Sequence, residues 1–343
     1  LSACLVCVPF ACLFGFEAVI RSAGRAFPVQ VRYVGSSERA TLPRRMAVAI
    51  KAALSEEEGD LLAFLPGAGE IRAVQRELEG LNAVVICPLY GDLPFEQQQR
   101  AILPGPVRRV VLATNIAETS LTIDGVRIVV DCGLSRRLQL NPATGLERLV
   151  TVRASQASAL QRTGRAGRTS PGVCYRLYEP QSFQAMTPFT PPEIQTADLS
   201  PLLLELAAWG SSSDSLAWLD SPPEAHLAAA KELLQMLGAL DKGGAITSLG
   251  RRMVRLPLHP RIARMLCAGE DLGLLVIACK IAAELSNRLS AKTAIEQTEK
   301  QLLQLMKAEG KSPAALHDDA MLAPLFIVAW PDRIAQQRSG GEG

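Results

Sequence analysis

Eight residues near the middle of the chain, Gln161-Arg162-Thr163-Gly164-Arg165-Ala166-Gly167-Arg168, carry three arginines and two glycines. Read as a helix, this segment places Gln161, Arg165 and Arg168 at i, i+4 and i+7, on one face. Arginine presents a planar fork of donors that suits phosphate oxygens and keeps its charge. The glycines remove bulk where a large ligand would approach the backbone. A second polar segment follows the apolar run 109–113. It reads Thr114-Asn115-Ile116-Ala117-Glu118-Thr119-Ser120-Leu121-Thr122-Ile123-Asp124-Gly125. Thr114 and Asn115 suit contacts to the phosphates of a nucleic-acid strand, and Asp124 suits a ribose hydroxyl. Taken alone, the first segment is equally open to a plainer reading as a solvated basic turn, and the second reads more simply as a polar helix start.

The elements that would position these residues follow from periodicity. Short apolar runs at 61–65, 83–87, 109–113, 126–130 and 172–177 read as strands buried on both faces. Amphipathic stretches at 69–81, 94–103 and 155–164 read as helices between them. Such alternation predicts a parallel sheet covered by helices, with ligands at the carboxyl ends of the strands. Residues 134–140 and 146–152 flank the turn-rich Asn141-Pro142-Ala143-Thr144-Gly145. They predict a protruding β-hairpin bearing Arg136, Arg137, Arg148 and Arg153, either a plain excursion or a prong that guides a strand.

After Pro180 the strands give way. Pro188, Pro191 and Pro192 mark a linker, and 199–209 and 225–237 have helical spacing. Gly243-Gly244 makes a tight turn within 241–246, and Ser248 is expected to cap the next helix. That is a winged-helix pattern, and the chain is helical again from Pro260. Residues 1–16 are uncharged, with Cys4, Cys7 and Cys12. They are too few to span a membrane, lack a basic leader and offer no fourth metal ligand. The chain starts without methionine and reads as a fragment, residues 1–19 being left unassigned.

Composition bounds the function. With 36 basic and 34 acidic residues the net charge is +2, so nucleic-acid binding must come from local patches. Cys87, Cys132 and Cys174 lie in or beside apolar runs and read as small buried hydrophobes in a reducing cytosol. No metal site is expected. His226, His259 and His317 are read as surface or structural residues without carboxylate partners, and Trp209 and Trp218 as core anchors.

TNIAETSLTIDG followed by QRTGRAGR resembles motifs V and VI of the DEAH-box helicases of superfamily 2. Phe64-Leu65-Pro66-Gly67-Ala68-Gly69-Glu70-Ile71 resembles their motif IV, and Leu89-Tyr90-Gly91-Asp92-Leu93-Pro94 with Gln97-Gln98-Gln99-Arg100 the segment after it. Residues 246–253 and 256–261 resemble the winged-helix-to-bundle junction of that family. Leu199 to Leu206 with Ala208-Trp209-Gly210 is similar to its bacterial HrpB-type branch. The resemblance spans about residues 20–310.

The resemblance implies an α/β fold: a RecA-like parallel sheet with flanking helices over 20–180 and an inserted β-hairpin. A winged helix over 181–255 and an α-helical bundle over 256–343, expected to be truncated, follow. It implies an ATP-dependent RNA helicase in the cytoplasm, coupling ATP hydrolysis to translocation on single-stranded nucleic acid, with no membrane partner. The alternative is a RecA-like module that binds nucleic acid or protein without catalysis. By position, Arg165 and Arg168 correspond to arginine fingers, and Gln161 to the residue that helps to place the attacking water. Thr122 and Asp124 correspond to ATP contacts, Thr114, Asn115 and Gly91 to nucleic-acid contacts, and Thr119 and Ser120 to the coupling segment.

Departures matter too. No G-x-x-x-x-G-K-[ST] occurs, since Gly310-Lys311-Ser312 has Leu305 where the first glycine belongs, and no Asp-Glu pair occurs. The phosphate cradle and the Mg²⁺ ligands are therefore expected on a missing first RecA-like domain, and this chain alone is expected to be inactive. Many relatives place an adenine-stacking aromatic where this chain has Ile102-Leu103.

Overall fold

The computed structural model describes Leu13, Gly15 and residues 27–35, 40–91, 93–119, 122–141, 146–286, 292–306 and 319–333. The chain divides into two compact units between Pro192 and Glu193. Nearly all of 1–19, the hairpin tip 142–145, Ser120 and His317 lie outside the described residues.

In the first unit the elements run β1 (Val29–Tyr33), α1 (Leu42–Glu56), β2 (Asp60–Phe64), α2 (Ala68–Glu77), β3 (Val85–Leu89), α3 (Phe95–Ile102), β4 (Arg109–Ala113) and α4 (Ile116–Thr119). They continue through β5 (Val126–Asp131), β6 (Leu134–Asn141), β7 (Leu146–Arg153), α5 (Gln156–Gly164), a 3-10 turn (Arg165–Gly167), β8 (Gly172–Arg176) and α6 (Pro180–Gln184). Six strands form one sheet in the order β1-β8-β5-β2-β4-β3, all pairs parallel. β6 and β7 pair antiparallel as a separate hairpin.

The alternation along β2 shows why the sheet is sandwiched. Leu61 and Ala63 pack with Met46 and Ile50 of α1 and Ile71 and Val74 of α2. Leu62 and Phe64 face the other way, onto Ala117 and Ala166. On α1, Met46, Ile50 and Ala53 are fully buried at i, i+4 and i+7, one helical stripe.

Three expectations change. The strand expected at 83–87 is not buried on both faces. β3 is the sheet edge, Val85 is 47% exposed, and the strand runs on through Pro88. Proline is tolerated there because the Val85 N–H and the Leu89 carbonyl bond to the β4 side, so the alternate position 88 points its missing donor outward. The strand β1 and helix α1 extend the domain beyond the elements expected. The helix around the arginine cluster stops at Gly164 and tightens into the 3-10 turn, so the i, i+4, i+7 face does not persist.

The second unit holds α7 (Ser200–Trp209), α8 (Glu224–Met236), α9 (Ser248–Met253), α10 (Pro260–Asp271), α11 (Leu275–Ser286), α12 (Lys292–Leu305) and α13 (Asp319–Ala329). The small hairpin reduces to one antiparallel bridge, Leu240 to Ile246, closed by Gly244 at φ +90°. The cap of α9 is Thr247, not Ser248. Thr247 has extended backbone and its hydroxyl accepts from the Gly250 N–H, which the first in-helix residue cannot do. Trp209 is no core anchor, being 80% exposed. Five residues beyond the buried Leu204, it points about 140° away from that stripe.

His259 does have a carboxylate partner. Its Nδ1 accepts from the Arg261 N–H at 3.2 Å, which leaves Nε2–H to donate to Asp198 Oδ2 at 2.9 Å. Asp198 Oδ1 accepts from the Ser200 N–H at 2.7 Å, so one carboxylate joins the starts of α7 and α10. Burial raises the Asp198 pKa, but the hydrogen bonds from His259 and Ser200 outweigh it and hold the group below its ordinary 3.8. A carboxylate depressed on folding stabilises above its unfolded pKa and loses that contribution as pH falls through the folded value. The melting temperature of the second unit is thus expected to fall as pH drops below about 4. Asp198→Asn is expected to flatten that acid limb, as read by circular dichroism melts across pH.

Candidate functional site

The carboxyl end of β4 opens into the polar segment. The Thr114 N–H donates to the Leu89 carbonyl at 3.1 Å, which sets the loop after β4 beside the end of β3. Gly91 lies on this rim, where a Cβ would meet nothing within 4 Å. Asn115 is exposed and Thr114 half-buried. The short α4 begins at once, with the Ala117 and Glu118 N–H groups donating to the carbonyls of Thr114 and Asn115. Thr119, Thr122 and Asp124 are exposed along the same segment.

Arg165 and Arg168 both come to this segment. In a 3-10 turn, residues three apart eclipse, so the two side chains rise from one side of the turn. Arg165 Nε donates to the Glu118 carbonyl at 2.9 Å, and Nη2 bonds to the same oxygen. Arg168 Nη1 donates to the Thr122 hydroxyl. Arg165 is buried, Arg168 exposed and Gln161 half-buried. The glycine expectation is corrected in part. A Cβ on Gly167 would fall 2.5 Å from the Phe27 carbonyl oxygen and 2.7 Å from a Val29 methyl. Its missing side chain therefore admits the strand β1, whereas Gly164 faces open space.

Residues 45–170 match the helicase conserved C-terminal domain, and residues 232–258 the winged-helix, helicase-associated domain HA2. The ATP-dependent RNA helicase HrpB of Escherichia coli is 43% identical over 93% of this chain and 41% of its own length. The crystal structure of E. coli DEAH/RHA helicase HrpB superposes with a TM-score of 0.83 at 42% identity, covering 96% of this chain and 44% of that one. The chain belongs to the DEAH-box helicases. The pre-mRNA-splicing factor ATP-dependent RNA helicase prp22 of Schizosaccharomyces pombe is a more distant similarity. It is 40% identical over 73% of this chain and 22% of its own length. The chain thus spans about two fifths of HrpB and less of prp22.

Within this DEAH-box chain, the residue that the sequence reasoning passed over is Arg162. It is 1% exposed. Its Nη1 donates to Asp131 Oδ1 at 2.8 Å and to the Leu134 carbonyl at 3.0 Å, and its Nε to Glu118 Oε2 at 3.1 Å. The guanidinium also stacks 5.1 Å from the Phe64 ring centroid. Burial opposes its charge, but Asp131, Cys132 and Glu118 raise its pKa above the ordinary value. Asp131 itself is fully buried and also accepts from the Tyr178 hydroxyl at 2.9 Å and the Gly133 N–H at 3.0 Å. Burial, with Asp131 nearby, pushes the Cys132 thiol up to about 12, which leaves it inert.

The hairpin is tied back at its base. Arg136 pairs with Glu70 of α2 at 3.0 Å and lies over Gly67, where a Cβ would meet its guanidinium. Arg137 donates to the Thr190 hydroxyl at 3.1 Å.

A nucleoside triphosphate calls for cations at its phosphates and an acceptor at its ribose. Arg165, Arg168 and the exposed Asp124, all on or against one loop, fit those needs. The sequence offers no glycine-rich cradle and no Asp-Glu pair for a metal. Among the described residues no helix is long and apolar enough to cross a membrane.

Proposed function

We propose that the protein is an ATP-dependent RNA helicase that couples ATP hydrolysis to movement along single-stranded RNA in the cytoplasm. In this reading residues 20–180 are the second RecA-like domain, 181–255 the winged helix and 256–343 the helical bundle. A first RecA-like domain supplies the phosphate cradle and the ligands for Mg²⁺. The observation that carries the proposal is that Arg165 and Arg168 rest on the same segment that bears Thr114 at one end and Asp124 at the other.

Each residue then has a task. Arg165 and Arg168 stabilise charge on the phosphates during transfer, and Gln161 orients the attacking water. Asp124 accepts from the ribose, with Thr122 beside it. Thr114, Asn115 and Gly91 meet the nucleic-acid backbone. Thr119 and Ser120 couple the two sites. Bound Mg²⁺ would neutralise phosphate charge from the far wall.

Backbone contacts predict a salt-sensitive and sequence-tolerant grip. The full-length protein is expected to hydrolyse ATP faster with single-stranded RNA, with similar stimulation by different homopolymers and a loss of stimulation as salt rises. Turnover indifferent to RNA would refute the motor, and RNA binding with no turnover at all would leave a binding module.

A further inference from the structure

At the other end of β4 from Thr114, a second buried arginine organises the loop bearing Asp124. Arg109 is 3% exposed. Its Nε and Nη2 donate to Asp60 Oδ2 at 2.8 and 2.6 Å, and its own backbone N–H donates to Asp60 Oδ1 at 2.8 Å. The same guanidinium reaches two segments distant in sequence. Nη1 bonds to the Leu103 carbonyl, at the end of α3, and Nη2 donates to the Asp124 carbonyl at 2.7 Å, just before β5. The nitrogens of a guanidinium are fixed in one plane, so one rigid group sets these two segments side by side. Asp60 also abuts the turn, its Oδ2 lying 3.0 Å from the position of a Cβ on Gly125, which sits at φ +88°.

The side chains held in this way face outward. Leu103 is 57% exposed and Asp124 is exposed. A cavity of about 780 Å³ opens beside Leu103, lined also by Cys87, Arg100, Pro104, Val107 and Arg109. That side gives the segment after α3 little packing, so its placement leans on the Arg109 bond. A buried clamp beneath two exposed side chains is what a ligand-facing rim without regular structure requires.

We propose that Arg109, backed by Asp60, is a positioning residue for the nucleoside half of the ATP pocket, holding Asp124 and Leu103 in mutual register. The proposal rests on the ATP reading given above. The Arg109 guanidinium is buried and bonds to Asp60 and to backbone carbonyls, so it acts through the segments it holds. Its loss therefore weakens binding of the base and ribose, and leaves the phosphate chemistry at Arg165 in place.

The test uses the full-length protein, with ATP and a dideoxy analogue of ATP that lacks both ribose hydroxyls. Arg109→Lys keeps the charge but cannot span both carbonyls and Asp60. It is expected to raise KM for ATP about fivefold to tenfold with kcat within about twofold. The preference of the wild type for ATP over the dideoxy analogue should shrink in the same variant, because Asp124 is no longer placed. Asp60→Asn preserves volume and is expected to give the same pattern more weakly, and it carries the test if the lysine variant does not fold. Unchanged KM and unchanged preference in a folded variant would overturn the proposal. So would a fall of kcat in parallel with melting temperature while KM holds. A wild type that does not discriminate against the dideoxy analogue also overturns it. That result removes the ribose role given to Asp124 but not the ATPase reading, since the loss of turnover in Arg165→Ala tests that reading separately.

Discussion

Arg165→Ala in the full-length protein is expected to lower kcat for ATP hydrolysis by about a thousandfold or more, the range seen when an arginine finger is removed. Binding of single-stranded RNA in the absence of nucleotide should stay within about threefold, since the backbone grip resides in Thr114, Asn115 and Gly91. The geometry supports a kcat effect in particular. Arg165 is held in the plane set by its two bonds to the Glu118 carbonyl, so little reorganisation remains when phosphate charge develops nearby. Arg168 is exposed and bonded to the hydroxyl of the exposed Thr122, and Arg168→Ala should cost less. Steady-state turnover with a fluorescence-anisotropy titration of RNA checks both halves. Wild-type-like kcat in Arg165→Ala would remove the basis for the motor.

Much of this arrangement is legible in the sequence, and the gaps have physical causes. The strand at 109–113 is recognisable because Val110 to Ala113 are all buried, which produces an unbroken apolar run after Arg109. The edge strand β1, with the pattern Val-Gln-Val-Arg-Tyr and a half-exposed face, gives a weaker signal. Periodicity alone also cannot place Pro88 in a strand, because the tolerance depends on which edge faces solvent. The same limit explains Ser248 and Thr247: two adjacent hydroxyl residues both look like caps, and only backbone geometry chooses. Motif spacing located the arginine cluster, but composition cannot distinguish an arginine that meets ligand from one that ties the protein together. The helical phase held that information. Ala159, Arg162 and Thr163 fall at i, i+3 and i+4 of the helix, and all are buried. Arg162 therefore sits on the apolar face of its helix, where a charge persists only if paired.

That pairing makes Arg162→Met the substitution with the largest expected effect on folding. Methionine fills much of the space over Phe64, so the loss is electrostatic more than steric. It leaves the fully buried Asp131 carboxylate with the Tyr178 hydroxyl and the Gly133 N–H but without its cation. Removing one member of a buried ion pair costs about 3 to 5 kcal/mol, a large share of the stability of an ordinary domain. The first unit is expected to unfold at much lower urea concentration in this variant. Asp131→Asn added to Arg162→Met should recover part of the loss, because the orphaned charge is gone while the amide still accepts from Tyr178. A double-mutant cycle by urea denaturation measures that coupling. Two single losses that simply add would show that Arg162 and Asp131 do not act as a pair. The consequence reaches the candidate site through Glu118. Its carboxylate takes the Arg162 Nε and its carbonyl takes Arg165, so the residue that holds the finger is itself held by Arg162.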